Sequence, residues 1–472
     1  MNTDDRTRVA TGLQELTQWA ATYPPSHLPP DVLRRAAAIL ADDVGAMVAA
    51  RDEPEVARLH AATLRRTAQP EATIFRGGHA RTDRMSAAVA NAVAACWLEL
   101  DEGYRPVPCH AGLHILPALL AEAEATDRPV RDVLTALALG YEVETRIARC
   151  WNAPALVVHT HAQYCAVGAA MGVALLRRLD PASLLNVLAM ASTFVNAGPR
   201  NHALSGALVR NAWPAAGAWS GMMSVELHGC GFGGNPDAPG DVYAAILGCD
   251  TRPQELRDGL GGRWAVFDGY TKAYACCQHT HSAAEAALAL HPALPASGAL
   301  DAIETVVVET HELATRLLNR QPETTLAARF SLPHVVASAL LRGDAGAAAC
   351  AAASLHDPAI AALRERIEVT LLTPALPPPH DRATRISIQL RDQRRLHSLC
   401  RSAIGSPDRP LDAAAFQRKL HDATAPVYPA AGSVLGDLMR GEPALLDLGF
   451  AAFVAKLCDG AQPTPSTPRR SA

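Results

Sequence analysis

Apolar residues recur at three- and four-residue intervals along most of the chain, a spacing that predicts amphipathic helices at 8–21, 31–50 and 54–67. The second and third open at proline beside an acidic residue, in Leu28-Pro-Pro-Asp-Val-Leu and Asp52-Glu-Pro-Glu-Val. Proline's fixed φ suits a first helical turn, and an acidic group there meets the positive end of the helix dipole. Ala72-Thr-Ile-Phe-Arg, ending in Gly77-Gly78, reads as a brief strand or extended link. Residues 84–99 are dominated by Ala, Val, Cys and Leu and leave almost no polar face, so this helix is expected to be buried all round. It runs into a polar loop, Glu99 to His110, where one glycine and two prolines stop it. Further helices are predicted at 112–126, 130–151, 163–178, 182–194 and 206–228.

Past residue 270 the period changes. Segments 302–310, 366–372 and 383–390 alternate or are β-branched and predict strands, set among helices near 283–291, 311–318, 333–342 and 357–363. Helical spacing then returns at 412–422, 432–440 and 442–457. The expected fold is therefore mainly α: a large all-helical domain built from both chain ends, 1–268 and 405–460, with a smaller α+β unit, 269–404, inserted between them. Residues 461–472, rich in Pro, Ser, Thr and Arg, are expected to form a disordered tail. A chain of 472 residues exceeds what one hydrophobic core organises, in agreement with two units.

Composition removes several function classes. A net charge of −4 without a basic stripe argues against nucleic-acid binding. The longer apolar runs, such as 162–176, are Ala- and Gly-rich and too short for a membrane span, and the polar, acidic start is unlike a signal peptide, so a soluble cytoplasmic protein is expected. Eleven cysteines without CxxC spacing argue against a zinc ribbon or iron–sulfur cluster and read as reduced, mostly buried thiols. Gly229-Cys-Gly-Phe-Gly-Gly has no strand before it and no GK[ST] after it, so it is not a phosphate loop.

Two places carry candidate chemistry. Glu99, Asp101, Glu102 and His110 gather where the apolar helix meets its loop. Lys272, one of only three lysines beside Lys419 and Lys456, lies in Gly269 to His281, GYTKAYACCQHTH, near the crossing between the two units. An ammonium changes its pKa readily on burial, and inter-unit crossings are where ligand clefts form. His110 and His114, at i and i+4, have a metal-ligand spacing, but the Glu of HExxH and a third ligand are missing, so no metal is expected. The adjacent Cys276 and Cys277 read as buried thiols rather than a redox pair.

Several segments, in order, resemble the MmgE/PrpD family: SAAVANAVAACWLELDEG leading to Cys109-His-Ala-Gly, ALALGYEVETRIA, the run from His159 to Ala170, LVRNAWPAAGAWSGMM, YTKAYACC, and TTLAARFSLPHVVASALLRGD followed by Asp357-Pro. The likeness covers roughly 8–460. It implies a helical body with an inserted α+β lid, a homodimer, and a cleft that acts on a small-molecule carboxylate with no metal or organic cofactor. Carried over by position, His159, His110 and Lys272 match the family's two histidines and its lid lysine. Departures are Glu99, which replaces one Asp of LDFDD in Leu98-Glu-Leu-Asp-Glu while Asp101 and Glu102 remain, Gly103 where a hydroxyl residue is common, and Arg210 where a lysine often lies.

The family's reactions share gain or loss of a proton or CO₂ beside a carboxylate, so negative charge builds there in the transition state. The resemblance thus implies a cofactor-independent lyase, foremost a hydro-lyase, on a di- or tricarboxylate. An epimerase, a decarboxylase or a catalytically inactive carboxylate-binding homologue are the alternatives. In that reading His159 transfers the proton, His110 is its complementary acid or base, Asp101 orients His110, and Lys272 meets the developing charge. Arg210, Glu99, Cys277 and His279 are expected at the substrate, with the choice among Cys277, His279 and His281 left open. A guanidinium at 210 suits carboxylate binding better than proton donation.

Overall fold

The computed structural model describes residues 3–66, 69–153 and 157–462. The expected tail falls, from 463 onward, outside the described residues. The mainly α fold holds. One core draws its side chains from Val9 to Val266 and again from Phe416 to Cys458. A second core is built from residues 277–403, joined by Ala203.

At the centre of the first core lie helices Arg84–Trp97, Ala111–Ala125, Val130–Cys150, Cys165–Leu176 and Trp213–Gly229. Their Ala- and Gly-rich faces let backbones approach closely. Gly217 and Gly221, one turn apart, face the helix at 165–176: a Cβ at Gly217 would stand 2.5 Å from Cys165 Cβ, and one at Gly221 2.6 Å from the Ala166 carbonyl oxygen. The returning C-terminal helices Ala413–Thr424 and Ala431–Arg440 pack on helix Pro30–Ala49. Lys419 ties them down, pairing with Asp42 at 2.5 Å and donating to the Leu100 carbonyl at 3.1 Å.

The inserted unit holds a four-stranded sheet in the order Ile367–Leu371, Ile303–Thr310, Thr384–Leu390, Arg395–Cys400. The first pair is parallel and the others antiparallel. Thr384, Ile386, Ile388 and Leu390 point inward on alternate positions, the period of two that marked this strand in the sequence. Helices His281–Leu290 and Leu332–Arg342 help fill the core beneath it.

Several local expectations give way to tertiary contacts. The helix expected over 206–228 begins only at Trp213, as Trp213–Gly229, and is preceded by a short helix Asn201–Ser205 and a 3-10 turn Leu208–Ala212. Gly206 ends the first piece with φ 78°, and Pro214, which has no N–H, can only sit in the first turn of the last. The break turns Arg210 into the interior. The segment 311–318 keeps only the 3-10 turn Ala314–Arg316. Arg395–Cys400, an edge strand with one face exposed, has too few apolar positions to stand out, and its pairing with Thr384–Leu390 is what makes it a strand.

Two crossings join the units. Gly103–Tyr104 pairs antiparallel with Gly269–Tyr270, so the acidic loop and the Lys272 segment are stitched together. A Cβ at Gly103 would fall 2.2 Å from Tyr270 Oη, which explains why this position carries no hydroxyl residue. The Thr271 N–H donates to the Gly405 carbonyl at 2.9 Å, placing the outgoing and returning chains side by side. Gly405, at φ 90°, leaves no room for a Cβ against the Thr271 carbonyl.

Candidate active site

Helix Arg84–Trp97 ends against the floor of a small cavity, and Glu99 just beyond it adopts φ 55°. A non-glycine residue held in that region costs about 1–3 kcal/mol and persists only where its surroundings over-determine it. Here they do. Glu99 Oε1 lies 2.6 Å from Arg210 Nη1, and Lys272 Nζ donates to Glu99 Oε2 and to Asp101 Oδ1, each at 3.0 Å. Asp101 Oδ2 in turn stands 2.7 Å from His110 Nδ1, which also lies 2.9 Å from the Glu102 carbonyl oxygen.

The chain of charges fixes protonation. Burial works against the carboxylates of Glu99 and Asp101, but Arg210 and Lys272 at the first, and chiefly Lys272 at the second, outweigh it and hold both below the usual carboxylate range. Burial likewise opposes the Lys272 ammonium, yet Asp101 and Glu99 keep it charged above its ordinary range. Lys272 is 0 % exposed and touches these two carboxylates, so it stands behind the cavity wall.

The histidines behave oppositely. Burial, reinforced by Arg210 and Arg200, holds the His159 ring well below the usual imidazole range; His110 is also lowered by burial, with Asp101 opposing. Both rings are neutral at pH 7. The backbone N–H of His161 reaches His159 Nδ1 at 3.2 Å, which leaves the ring proton on Nε2. The 3.4 Å approach of Arg210 Nε to that nitrogen is then a contact between two N–H groups rather than a second hydrogen bond. At His110 both neighbours of Nδ1 are acceptors, so Nδ1 carries the proton and Nε2 the lone pair. One ring presents a donor and the other an acceptor.

His110, His159, Arg210, Glu99, Cys277 and His279 all line the cavity, which encloses about 50 Å³. His281 does not line it; its Nε2 lies 3.1 Å from the Cys276 carbonyl and its ring stacks edge-on with Tyr274. Ligand pockets run to about 300 Å³ or more, so entry of an acid with several carbons requires the walls to part. A larger hollow of about 590 Å³ lies beside the two crossings, lined by Arg35, Thr271, Gly405, Phe416 and Met439 among others, and holds no histidine or carboxylate.

The sequence did not mark Arg200, Arg382, Tyr270 or Phe330, which also line the cavity. Arg200 and Arg382 are not ion-paired with a carboxylate among the described residues; Arg382 donates only to the Arg105 carbonyl, at 3.2 Å. Burial and neighbouring Arg105 lower the Arg382 guanidinium to about 10, the signature of a cation short of an anion. Arg200 stands in a loop and Arg382 follows the Pro-rich stretch 377–379, positions without periodicity. No pattern could have found them.

Two sets of side chains have metal-ligating atoms within 4.8 Å: Asp101, His110 and His161, and Cys109, His114 and Glu144. In each set one pair is already closer than two ligands of one ion sit, at 2.7 Å for Asp101 and His110 and 2.5 Å for Glu144 and His114. With metal–ligand bonds of about 2.0–2.3 Å, tetrahedral ligands lie roughly 3.3–3.7 Å apart, so neither pair, through these atoms, has the spacing of two ligands round one ion.

Beneath the loop, Glu102 accepts from Tyr141 Oη at 2.6 Å and from the Gly112 N–H at 3.1 Å. Burial raises its carboxyl to about 7 even though Tyr141 and Arg35 pull the other way. A raised acid binds a proton in the folded protein that the unfolded chain has released, so stability from this group is full below the unfolded value and is lost as pH rises toward about 7. Glu102→Gln is expected to flatten the decline in unfolding free energy between about pH 4.5 and 7. Urea titrations at several pH values read this, and an unchanged slope would refute it.

Residues 14–244 match the MmgE/PrpD N-terminal domain and residues 274–434 the MmgE/PrpD C-terminal domain; the chain belongs to this family. Among its relatives, a cis-aconitate decarboxylase-like protein of Aspergillus oryzae is 24% identical over 370 residues, 73% of this chain and 76% of that one. A cis-aconitate decarboxylase of Aspergillus terreus is 24% identical over 351 residues, 69% and 71% of the two chains. Among the described residues no helix is long and apolar enough to cross a membrane.

Proposed function

We propose that the protein is a cofactor-independent lyase acting on a small di- or tricarboxylate. The observation that carries this reading is the pair of guanidinium groups, Arg200 and Arg382, that face the same cavity as His110 and His159 without a carboxylate to neutralise them. A substrate with two or three carboxylates supplies the missing charge, and fixed cations around a dry cleft lower the barrier to charge build-up by several kcal/mol. Arg210 sits between Glu99 and the cavity, stacked over Phe330 at 5.3 Å.

His110, backed by Asp101, has the lone pair to remove a proton from the carbon beside a carboxylate. His159 Nε2–H is placed to donate to the departing group or to the carbon that protonates. Lys272 holds Glu99 and Asp101 ionised and so keeps both Arg210 and His110 in place. Loss of water is the leading reaction. Loss of CO₂ is the second reading, favoured by the decarboxylase names of the relatives. A homodimer is part of the proposal, and light scattering reads it.

Incubating hydroxy-, unsaturated and amino-carboxylates in deuterated water separates the outcomes: a new ultraviolet-absorbing alkene for dehydration, released CO₂ for decarboxylation, deuterium exchange alone for epimerisation. Arg200→Ala is expected to raise KM about 10²-fold, from the ~2–5 kcal/mol cost of stripping one partner from a desolvated charge pair. An active wild type whose KM does not move in this variant would remove the guanidinium argument, and a chain that neither binds nor converts any such acid would remove the enzyme.

A further inference from the structure

The inference rests on the proposed reaction but concerns residues it leaves unused. Behind the two cavity histidines runs a row of buried groups. Glu144, on helix Val130–Cys150, places Oε1 2.5 Å from His114 Nδ1, and His114 Nε2 lies 2.9 Å from His161 Nδ1. The three side chains are fully enclosed. His161 Nε2 is buried and has no hydrogen-bond partner among the described residues. Its ring sits between those of His159, at 4.6 Å, and His110, at 4.7 Å. A nitrogen of His161 lies within 4.8 Å of a nitrogen of His110, a gap that one bridging water or a small ring shift closes.

Tautomers follow from the acceptor at one end. A carboxylate only accepts, so His114 carries its proton on Nδ1; its Nε2 must then accept from His161 Nδ1–H, which leaves the His161 Nε2 lone pair free. The fold reserves space for this order. A Cβ at Gly168 would lie 2.0 Å from Glu144 Oε2, and the Cys109 thiol donates to Glu144 Oε1 at 3.3 Å.

We propose that Glu144, His114 and His161 form a proton store for His110, positioning residues that take up the proton removed from the substrate and return it in the next half of the cycle. The transfer balances. The His110 imidazolium gives a proton to His161 Nε2, His161 Nδ1 passes its own to His114 Nε2, and His114 Nδ1 passes its own to Glu144. All three imidazoles end neutral and Glu144 ends as a carboxylic acid. A proton left on His161 would be a buried cation beside Arg210 and His159, which burial and those neighbours oppose. The row moves it on to a group whose negative charge it cancels.

Long-range nitrogen NMR of ¹⁵N-histidine protein, assigned with His114→Gln and His161→Gln, tests the row without any substrate. Nδ1–H tautomers at both rings, and a far-downfield His114 proton that disappears in Glu144→Gln, are the expected result; an Nε2–H tautomer at either ring overturns the store whatever the substrate proves to be. On the acid the enzyme turns over, Glu144→Gln is expected to lower kcat about 10- to 100-fold with KM within twofold, because the amide cannot end as an acid. Gly168→Ala, which displaces the carboxylate but keeps its charge, is expected to lower kcat in the same direction. Wild-type kcat in both, in folded protein, would also overturn it.

Discussion

His159→Ala is expected to lower kcat by about 10²- to 10⁴-fold, the usual share of a positioned proton donor or acceptor. Alanine removes the ring that presents Nε2–H to the cavity and lies beside Arg210. The His159 backbone N–H bond to the Gly198 carbonyl at 2.8 Å does not depend on the side chain, so the loop is expected to survive. Steady-state kinetics beside an unfolding curve separate the two effects. A folded variant that keeps turnover within a fewfold of wild type would take His159 out of the chemistry, and with it the donor half of the proposed pair.

Lys272→Met is expected to destabilise the protein by about 3–5 kcal/mol, the cost of breaking a buried ion pair from one side. The substitution keeps most of the volume and deletes the charge that Glu99 and Asp101 share. Arg210 and His110 remain, but His110 is held neutral by burial, so two buried carboxylates would face one fixed cation. Their pKa values would rise toward and past the unfolded ones. The loss is therefore largest at neutral and higher pH, where both must ionise, and smaller in acid, where they protonate. Adding Asp101→Asn to Lys272→Met is expected to recover part of it. Urea unfolding at pH 5 and pH 8 measures both claims; equal, small losses at the two pH values would mean that the three groups do not carry the crossing between units.

These two positions show how unevenly the site could be read. Lys272 stood out because lysine is scarce in this chain, and the family likeness pointed to His159 and His110. All three meet within one connected set of contacts. What rarity and resemblance could not convey was the side on which each acts: Lys272 lies behind the wall, and its charge reaches the cavity through Glu99 and Asp101. Arg200 and Arg382 come from loops on the two units and have no periodicity to betray them. His161 sits two residues from His159, and its place in a buried row depends on Glu144 and His114 from two other helices.

The sequence by itself determined the mainly α character, the return of the C-terminal helices to the N-terminal body, and most strands of the inserted sheet, because each rests on spacing within a few turns of one segment. The tertiary structure alone decided where Asn201–Ser205 breaks from Trp213–Gly229 and which polar segment became the fourth strand. It also decided which cations are left without anions. A period reports only which face of an element is apolar, whereas the protonation and pairing of a buried charge depend on every charge brought within a few ångströms of it from elsewhere in the chain.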